Sequence, residues 1–428
     1  MRAAQVNNVP RLSLDAYQTQ ACQANQFEGQ PNAINQLRFG LFGEIGGLLA
    51  AVKKEARDLA PAQHHSVTEE LGDALWYATT VAVAYGTSLK DIGVAAVLEL
   101  QKRFHVERNA PGENLSFDEI DGLLAFCSVE VEKLELGKEL RRLGAHAGQL
   151  LQLEAQPDLV DVHPRVLLAE LFADMAVTAA LFRQKLCEIA RSNLLKIESR
   201  WPPKDTAHLP LFDEKMNALE QLPRFVEMHF IEQHKQDGTP YVVQQLNGVN
   251  IGDRLTDNRL ESDGYRFHDV FHLAYVVHLG WSPVVRALLK LKRKSNPALD
   301  ENEDGARATI IEEGIATWIF NHAAGRKFFE DVAIGRLEYG LLKQVREMVS
   351  GYEVAACPVW QWERAILDGF RVFRELFSHG GGIVIADLKA RTLTFKARQL
   401  EPEAPIARPS TRPLLIGAAW PPQDQTLQ

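Results

Sequence analysis

The chain has 428 residues and carries 47 basic against 56 acidic side chains, for a net charge of −9. Its length allows two or three domains, and its mild acidity argues against general binding of duplex nucleic acid and favours a small-molecule or protein partner. The four cysteines form no CxxC pair, and no apolar run approaches the roughly 18 residues of a membrane span. We therefore expect free thiols, no membrane partner and a soluble, cytoplasmic protein.

The first predicted structure is a pair of amphipathic helices between residues 34 and 78. In the first helix apolar residues recur every three or four positions, which predicts one buried face, and Glu44 lies inside that apolar run. In the second helix Glu70 and Asp73 stand three residues apart, so both project from the same side. Two antiparallel helices that each turn carboxylates inwards would bring these acids together.

Converging carboxylates predict a bound divalent cation. Two carboxylates about 4 Å apart repel by roughly 4 kcal/mol at an effective dielectric constant near 20, and a cation between them reverses the sign. Mg²⁺ prefers carboxylate oxygens and binds substrate phosphate through its remaining positions. The alternative is a solvated acidic helix face with Lys53 and Lys54 as neighbours.

The motifs on these helices resemble those of the MazG-like branch of the all-α nucleoside triphosphate pyrophosphohydrolases. That family has GExGE on one helix and EELGDxLWY on the next, and this chain has GEIGG at residues 43–47 and EELGDALWY at residues 69–77. In the family, an ExxE pair and an ExxD pair hold Mg²⁺ against the triphosphate. Glu44, Glu70 and Asp73 match these positions, whereas Gly47 replaces the second glutamate.

The resemblance implies hydrolysis of a nucleoside triphosphate to the monophosphate and pyrophosphate, in nucleotide-pool housekeeping or regulation. It implies that Glu44, Glu70 and Asp73 are catalytic and hold Mg²⁺, for which Mn²⁺ could substitute. Lys53 or Lys54 would contact phosphate. We also expect the protein to form a homo-oligomer.

The helical pattern recurs further along the chain. Residues 132–142 can be laid over residues 44–54, and this overlay places Glu135 where the first repeat has Gly47. Beyond it, Glu170 and Asp174 share a helix face. Glu135 and Asp174 are therefore candidate metal ligands. The family's dimeric dUTPase branch is similar, with two four-helix units fused in one chain, so an internal pseudo-dimer is one interpretation. The other is a helical extension with solvated acids.

Beyond Pro202 and Pro203, which end the helical region, the composition changes. A β-branched stretch around Asn247 and Gly248 predicts a hairpin, and the alternating pattern of residues 380–397 predicts a second. Six prolines after residue 400 predict an extended or disordered tail.

The sequence thus predicts a mainly α fold with small β-hairpins. Residues 1–110 would form a MazG-like helical repeat, 118–204 a second repeat, 205–400 an α-rich C-terminal domain and 401–428 the tail. Residues 205–400 resemble the domain that accompanies MazG-like domains in some bacterial proteins. That resemblance implies an architecture and no activity.

A second metal site is predicted in the C-terminal domain. His268 and His272 are one helical turn apart, a spacing that lets two imidazoles reach one metal ion. HDVFH, at residues 268–272, is an HExxH pattern with Asp269 in place of glutamate. About forty residues later Glu312 and Glu313 lie on another helix, so a site of His268, His272 and Glu313 is possible. The alternative is a pair of core histidines.

Two alternatives to the pyrophosphohydrolase remain. Gly47 favours a degenerate nucleotide sensor that binds without hydrolysis and regulates the C-terminal domain. In the other alternative the C-terminal domain is itself a metal-dependent hydrolase, and the N-terminal part serves regulation or assembly.

Overall fold

The computed structural model describes residues 10–58, 64–153 and 163–398, so the predicted tail lies outside the described residues. Fifteen α-helices and one five-stranded antiparallel sheet in these ranges confirm the predicted mainly α fold with small hairpins. The chain divides into two compact units. The N-terminal unit comprises Met1–Leu209, Ala333–Leu342 and Ala355–Glu363, and the C-terminal unit comprises Pro210–Val332, Lys343–Val354 and Arg364–Gln428.

Nine helices are described between residues 10 and 209. They are α1 (Leu14–Gln23), α2 (Ala33–Asp58), α3 (His64–Ala84), α4 (Leu89–Arg103), α5 (Phe117–Phe126), α6 (Ser128–Glu132), α7 (Leu136–Gln152), α8 (Pro164–Leu181) and α9 (Leu186–Arg200). The apolar face predicted for α2 is buried, as Leu37, Leu41 and Ile45 show. Helices α2 and α3 pack along each other, and Gly40 leaves room for the ring of Tyr77 between them.

The two halves of this region, α1–α4 and α5–α9, share several local features. Ser13 and Ser116 stand immediately before α1 and α5, and these two serines form an antiparallel bridge with each other. The Gln18 side chain of α1 accepts a hydrogen bond from the first backbone N–H of α4 at 2.6 Å. The Asp121 side chain of α5 accepts one from the first backbone N–H of α9 at 2.8 Å. A duplicated four-helix unit would repeat its contacts in this way.

The last helix of each half packs mainly on the other half. Helix α9 lies against α3 of the first half, and α4 lies against α8 of the second. The antiparallel pair α2–α3 and the pair α7–α8 are joined where α2 contacts α7. The inward faces of α3 and α8 are therefore each completed by a helix from the other half.

The predicted overlay of residues 132–142 on residues 44–54 is wrong, because the two stretches differ in conformation. Residues 44–54 lie inside the continuous helix α2, whereas α6 ends at Glu132 and α7 begins at Leu136. Glu135 is the N-cap of α7 and has extended backbone angles. It cannot occupy the position in a helix that Gly47 has in α2.

The sheet of the C-terminal unit combines both predicted hairpins with a strand that the sequence analysis missed. Its strands are β1 (Phe225–His234), β2 (Pro240–Leu246), β3 (Val249–Leu255), β4 (Gly381–Asp387) and β5 (Thr392–Lys396), in the order β3-β2-β1-β4-β5. Asn247 and Gly248 both have positive φ, at 51° and 78°, as the predicted tight hairpin requires. Strand β1 pairs with β2 and β4 and so joins the hairpins into one sheet.

The chain between β3 and β4 is helical, as predicted. Its helices are α10 (Asp269–Leu279), α11 (Pro283–Leu288), α12 (Pro297–Asn302), α13 (Ala306–Ala324), α14 (Tyr339–Met348) and α15 (Val359–His379). No single described helix is long and apolar enough to cross a membrane. Ser66–Ala84 and Leu89–Arg103, bent by 112°, meet that criterion of length and composition only as a pair. All four cysteines are free.

Candidate active site

Helices α2, α3 and α9 and the segment Ala333–Leu342 enclose a cavity of about 380 Å³ inside the N-terminal unit. Its walls include Glu44 of α2, Asp73 of α3, Asn193, Lys196 and Arg200 of α9, and Tyr339. Acidic side chains from the first half of the unit therefore face basic side chains from the second half across one cavity. The volume is in the range of small-molecule sites, which is about 300–1,000 Å³.

Glu44, which lines this cavity, forms a carboxyl pair with Glu70. A hydrogen bond joins their side chains. Burial, followed by the negative charges of Asp73 and Glu70, raises the pKa of Glu44 to about 8. The predicted convergence of these acids is therefore present, and a proton shared between the two carboxyls relieves part of their repulsion.

Gly47 provides the space in which the Glu70 carboxylate lies. A Cβ atom added to Gly47 would be 2.8 Å from Cδ of Glu70 and closer still to its Oε2. Glu70 thus fills the volume that a side chain at position 47 would need. Because the obstructing group is the end of a flexible side chain, it can move aside.

Asp73 is held by two side chains of α9. Lys196 forms an ion pair with Asp73 Oδ2 and also contacts Glu69 Oε1 at 3.0 Å. Asn193 Nδ2 donates to Asp73 Oδ1 at 3.1 Å. The buried Tyr17 hydroxyl donates to Asn193 Oδ1 at 2.8 Å, which fixes the amide with its NH₂ group towards Asp73. Burial alone would lower the pKa of Lys196, but the charge of Asp73 raises it above the ordinary value.

Lys196 and Arg200 also contact the ring of Tyr339. Lys196 Nζ lies 4.6 Å and the Arg200 guanidinium carbon 4.8 Å from the ring centroid, within cation–π range. Arg200 Nη2 donates to the carbonyl of Leu337 at 3.1 Å, and Trp201 Nε1 donates to the carbonyl of Gly335 at 3.2 Å. The segment Ala333–Leu342 is therefore tied to the end of α9 and places Tyr339 beside two cations.

The donor set at this cavity fits Mg²⁺. Mg²⁺ is usually bound by one or two carboxylates, several waters and substrate phosphate. Glu44, Glu70 and Asp73 offer carboxyl oxygens from two facing helices, and burial together with the charges of Asp73 and Glu70 raises the pKa of Glu44. A divalent cation bound to these oxygens would favour the ionised form of all three carboxyls.

The second predicted metal site lies in the C-terminal unit. His268, Asp269 and His272 each offer one ligand atom, and these three atoms lie within 4.8 Å of one another. Glu313 Oε2 is 3.7 Å from His268 Nε2 and 3.5 Å from His272 Nε2. The structure thus brings together the three residues that the sequence singled out, with Asp269 beside them.

Residues 207–399 match the family model of the MazG C-terminal domain. The match covers a little under half of the chain and links it to MazG-associated proteins. Searches of curated proteins and of solved structures returned no match. The segment Ala333–Leu342 belongs to the stretch that matches the MazG C-terminal domain, yet it packs in the N-terminal unit and lines the acidic cavity.

The structure does not bring Lys53, Lys54 or Glu135 to the cavity. Lys53 and Lys54 are exposed on α2, and Lys53 is roughly 13 Å along the helix axis from Glu44 at 1.5 Å per residue. Glu135 is exposed and lies 3.7 Å from Arg141. The basic side chains that line the cavity are Lys196, Arg200 and Arg336.

Asp174 lies buried in the second half of the N-terminal unit, among basic side chains. Arg103 Nη1 and Arg142 Nε are each 3.1 Å from its Oδ1, and His146 Nδ1 is 2.7 Å from its Oδ2. Arg103 of α4 also pairs with the buried Glu139 of α7. Basic groups of the protein thus stand where the sequence predicted a metal ion.

The sequence analysis missed Asn193, Lys196, Arg200 and Tyr339 as site residues. Asn193, Lys196 and Arg200 are spaced by three and four positions, so they share one face of α9, and this pattern was visible. Tyr339 had no such signal, because it reaches the cavity from a segment far along the chain.

Proposed function

We propose that the N-terminal unit is a Mg²⁺-dependent nucleoside triphosphate pyrophosphohydrolase. One observation carries the proposal: the acids of α2 and α3 and the cations of α9 face the same cavity. Acids there can hold a divalent cation, and the cations can hold the phosphates that this ion also contacts. The match to the MazG C-terminal domain supports a role in nucleotide metabolism.

Each side chain has a proposed role in binding. Glu44, Glu70 and Asp73 would hold Mg²⁺, which when bound neutralises charge on the triphosphate. Lys196 and Arg200 would donate to phosphate oxygens, and Lys196 would exchange part of its ion pair with Asp73 for a phosphate. Tyr339 holds both cations at the cavity through ring contacts at 4.6 and 4.8 Å.

The reaction needs positioning and charge neutralisation more than a covalent nucleophile. The oxygen of a water molecule forms a bond to the α-phosphorus. The bond from that phosphorus to the α,β-bridging oxygen breaks, and pyrophosphate leaves with the electron pair. A carboxylate of the acidic group takes the proton of the water, so the products are the nucleoside monophosphate and pyrophosphate.

The test is product analysis with a panel of canonical and modified nucleoside triphosphates. We expect monophosphate and pyrophosphate in the presence of Mg²⁺ and none after its removal by chelation. Glu188→Gln is a matched control for Asp73→Asn, because Glu188 is an exposed acid that lies 3.7 Å from Lys185 at the start of α9. Asp73→Asn should abolish product, and Glu188→Gln should not. Release of diphosphate and orthophosphate would contradict the proposal.

The ion pair of Asp73 with Lys196, together with Gly47, favours a nucleotide sensor as the second candidate. In a sensor Lys196 would keep Asp73 occupied, so nucleotide would bind without hydrolysis. Isothermal titration with a nucleoside triphosphate distinguishes the two. Saturable binding with no monophosphate after prolonged incubation would identify the sensor.

A further inference from the structure

A group of potential ligands lies where α10 faces α13 in the C-terminal unit. His268 is the N-cap of α10, and Asp269 and His272 lie in its first turn, so the three side chains project close together. Helix α13 contributes Glu313. His272 is fully buried, and Glu313 is the most exposed of the four, with a side chain 40% exposed.

The Nδ1 atom of each imidazole already has a hydrogen-bond acceptor. His268 Nδ1 lies 2.9 Å from the carbonyl oxygen of Tyr265, and His272 Nδ1 lies 2.8 Å from Glu312 Oε1. A carbonyl oxygen only accepts, so His268 carries a proton on Nδ1, and the carboxylate favours the same tautomer for His272. In the neutral form of each ring Nε2 then presents its lone pair, as in metal sites whose histidines donate their other N–H to a carboxylate or carbonyl.

The supporting groups are themselves held by hydrogen bonds. The buried Glu312 accepts from the Ser282 hydroxyl at 2.7 Å and from the backbone N–H of Val284 at 2.8 Å. Gln244 Nε2 donates to Asp269 Oδ2 at 2.6 Å, which leaves Asp269 Oδ1 3.1 Å from His268 Nε2. These contacts fix the direction of each candidate ligand, as second-shell contacts do in metal sites.

The distances between the candidate ligand atoms suit one metal ion. Two ligands about 2.0–2.1 Å from a tetrahedral ion are about 3.3 Å apart. The observed separations are 3.1 Å between His268 Nε2 and Asp269 Oδ1, 3.7 Å between His268 Nε2 and Glu313 Oε2, and 3.5 Å between His272 Nε2 and Glu313 Oε2.

Nε2 of His272 is the atom of this group that most clearly needs a ligand. His272 Nε2 is buried and makes no hydrogen bond among the described residues, and its contact with Glu313 Oε2 is long, at 3.5 Å. A buried polar atom left without a partner costs about 1–3 kcal/mol, so such atoms are rare in folded proteins. A metal ion bound to this nitrogen would satisfy it.

We propose that His268, Asp269, His272 and Glu313 bind one divalent first-row transition-metal ion, of the class of Mn²⁺, Fe²⁺ or Zn²⁺. Two imidazoles with carboxylates suit such ions better than Mg²⁺ or Ca²⁺, which prefer all-oxygen ligands. The exposure of Glu313 places one side of the ion towards solvent, where a water molecule can complete the coordination. This site is separate from the acidic cavity of the N-terminal unit.

The test is metal analysis of the full-length protein, purified without chelators, followed by Co²⁺ titration of the metal-free protein. We expect about one transition-metal ion per chain and a saturable visible absorption from bound Co²⁺. His272→Ala should abolish both signals. Asp269→Asn and Glu313→Gln keep the side-chain shapes, so they test the site even if His272→Ala does not fold, and each should weaken Co²⁺ binding at least tenfold. Glu312→Gln should weaken it by about 10–100-fold through His272.

His278→Ala is the matched control. His278 is a buried histidine of the same helix, and its Nε2 lies 2.8 Å from Asp368 Oδ2. This variant loses an equally buried imidazole and should keep the metal. Asp73→Asn should also keep it, so the result does not depend on nucleotide hydrolysis. Absence of saturable Co²⁺ binding, equal loss of metal in His278→Ala, or unchanged binding in both Asp269→Asn and Glu313→Gln would overturn the proposal.

Discussion

Lys196 is the residue on which the acidic cavity most depends, because it is the cation that faces Asp73 and Glu69. In the proposed reaction it also donates to phosphate. Lys196→Met should therefore lower kcat/KM for nucleoside triphosphate about 100-fold, the loss typical of removing one donor to a charged transition state. Lys185→Met, an exposed lysine at the start of the same helix, should keep the wild-type value. A wild-type rate in Lys196→Met would exclude Lys196 from the mechanism.

Gly47 gives a second prediction at this scale. Gly47→Glu would push the Glu70 carboxylate out of the space beside α2 and add a fourth acid, so half-maximal activity should need less Mg²⁺. Gly46→Glu is the matched control, because it adds the same charge one position earlier, where a Cβ meets nothing within 4 Å. We expect its Mg²⁺ dependence to be unchanged. Loss of Mg²⁺-dependent activity in Gly47→Glu alone would show that the reaction needs the Glu70 carboxylate in its present place beside α2.

The sequence predicted the site residues whose contacts lie close by in the chain and missed those whose contacts are distant in the chain. Glu44, Glu70 and Asp73 occur in two neighbouring helices, so periodicity together with the resemblance of the two motifs predicted that they lie close together. Asp73 and Lys196 are 123 residues apart, and nothing local to either predicts that contact. Glu312 and Glu313 are consecutive, so they point in directions about 100° apart on α13. Only the structure showed that Glu312 contacts Nδ1 of His272, whereas Glu313 faces Nε2 of His268 and of His272.

At the scale of helices, Arg103 joins the first half of the N-terminal unit to two helices of the second half. It lies on α4 and pairs with Glu139 of α7 and Asp174 of α8. Removing one partner of a buried ion pair costs about 3–5 kcal/mol, because the remaining charge stays buried. Arg103→Ala should therefore lower the free energy of unfolding by about that amount in chemical denaturation.

Lys102→Ala is the control for Arg103, since Lys102 is the preceding residue and its side chain is 82% exposed. We expect a change within about 0.5 kcal/mol. An equally small change in Arg103→Ala would show that its ion pairs with Glu139 and Asp174 do not stabilise the fold.

The sheet shows which strands, and which strand pairings, can be predicted from local sequence. Both hairpins were predicted from turn residues and alternation. Strand β1 was missed, although Val226, Met228 and Phe230 are buried at every second position. Its signal was present, but no Asn-Gly turn marked it. The pairing of β1 with β4, by contrast, joins strands about 150 residues apart, and no local pattern predicts it.

At the scale of a whole unit, acid should weaken the C-terminal unit through Asp257. Burial alone would raise the pKa of Asp257, but hydrogen bonds from Ser262 and Arg266 and the charge of Arg266 lower it below the ordinary value. The other charged group on this guanidinium is Glu232, 2.7 Å from Arg266 Nε. A lowered folded pKa means that the carboxylate stabilises the fold above its unfolded pKa of about 3.9. This contribution is lost as the pH falls through the folded value.

Asp257→Asn should therefore lower the free energy of unfolding by about 3 kcal/mol at pH 7, and the difference from the wild type should shrink near pH 3. Denaturant midpoints at the two pH values measure it. Asp253→Asn, on the exposed strand β3, should match the wild type at both. A difference independent of pH would show that Asp257 acts through its shape and hydrogen bonds and not through its charge.

The exchange of last helices between the two halves has a consequence for synthesis of the chain. Asp73 leaves the ribosome 123 residues before Lys196, an interval of about 6–25 s at roughly 5–20 residues per second. Throughout that time the face of α3 that will receive α9 is already made, while α9 does not yet exist. Helix α4 is likewise synthesised before α8, the helix on which it packs. The N-terminal unit therefore cannot complete its folding in the order in which it is translated, and its acidic helices are exposed to the cell before the cations that neutralise them.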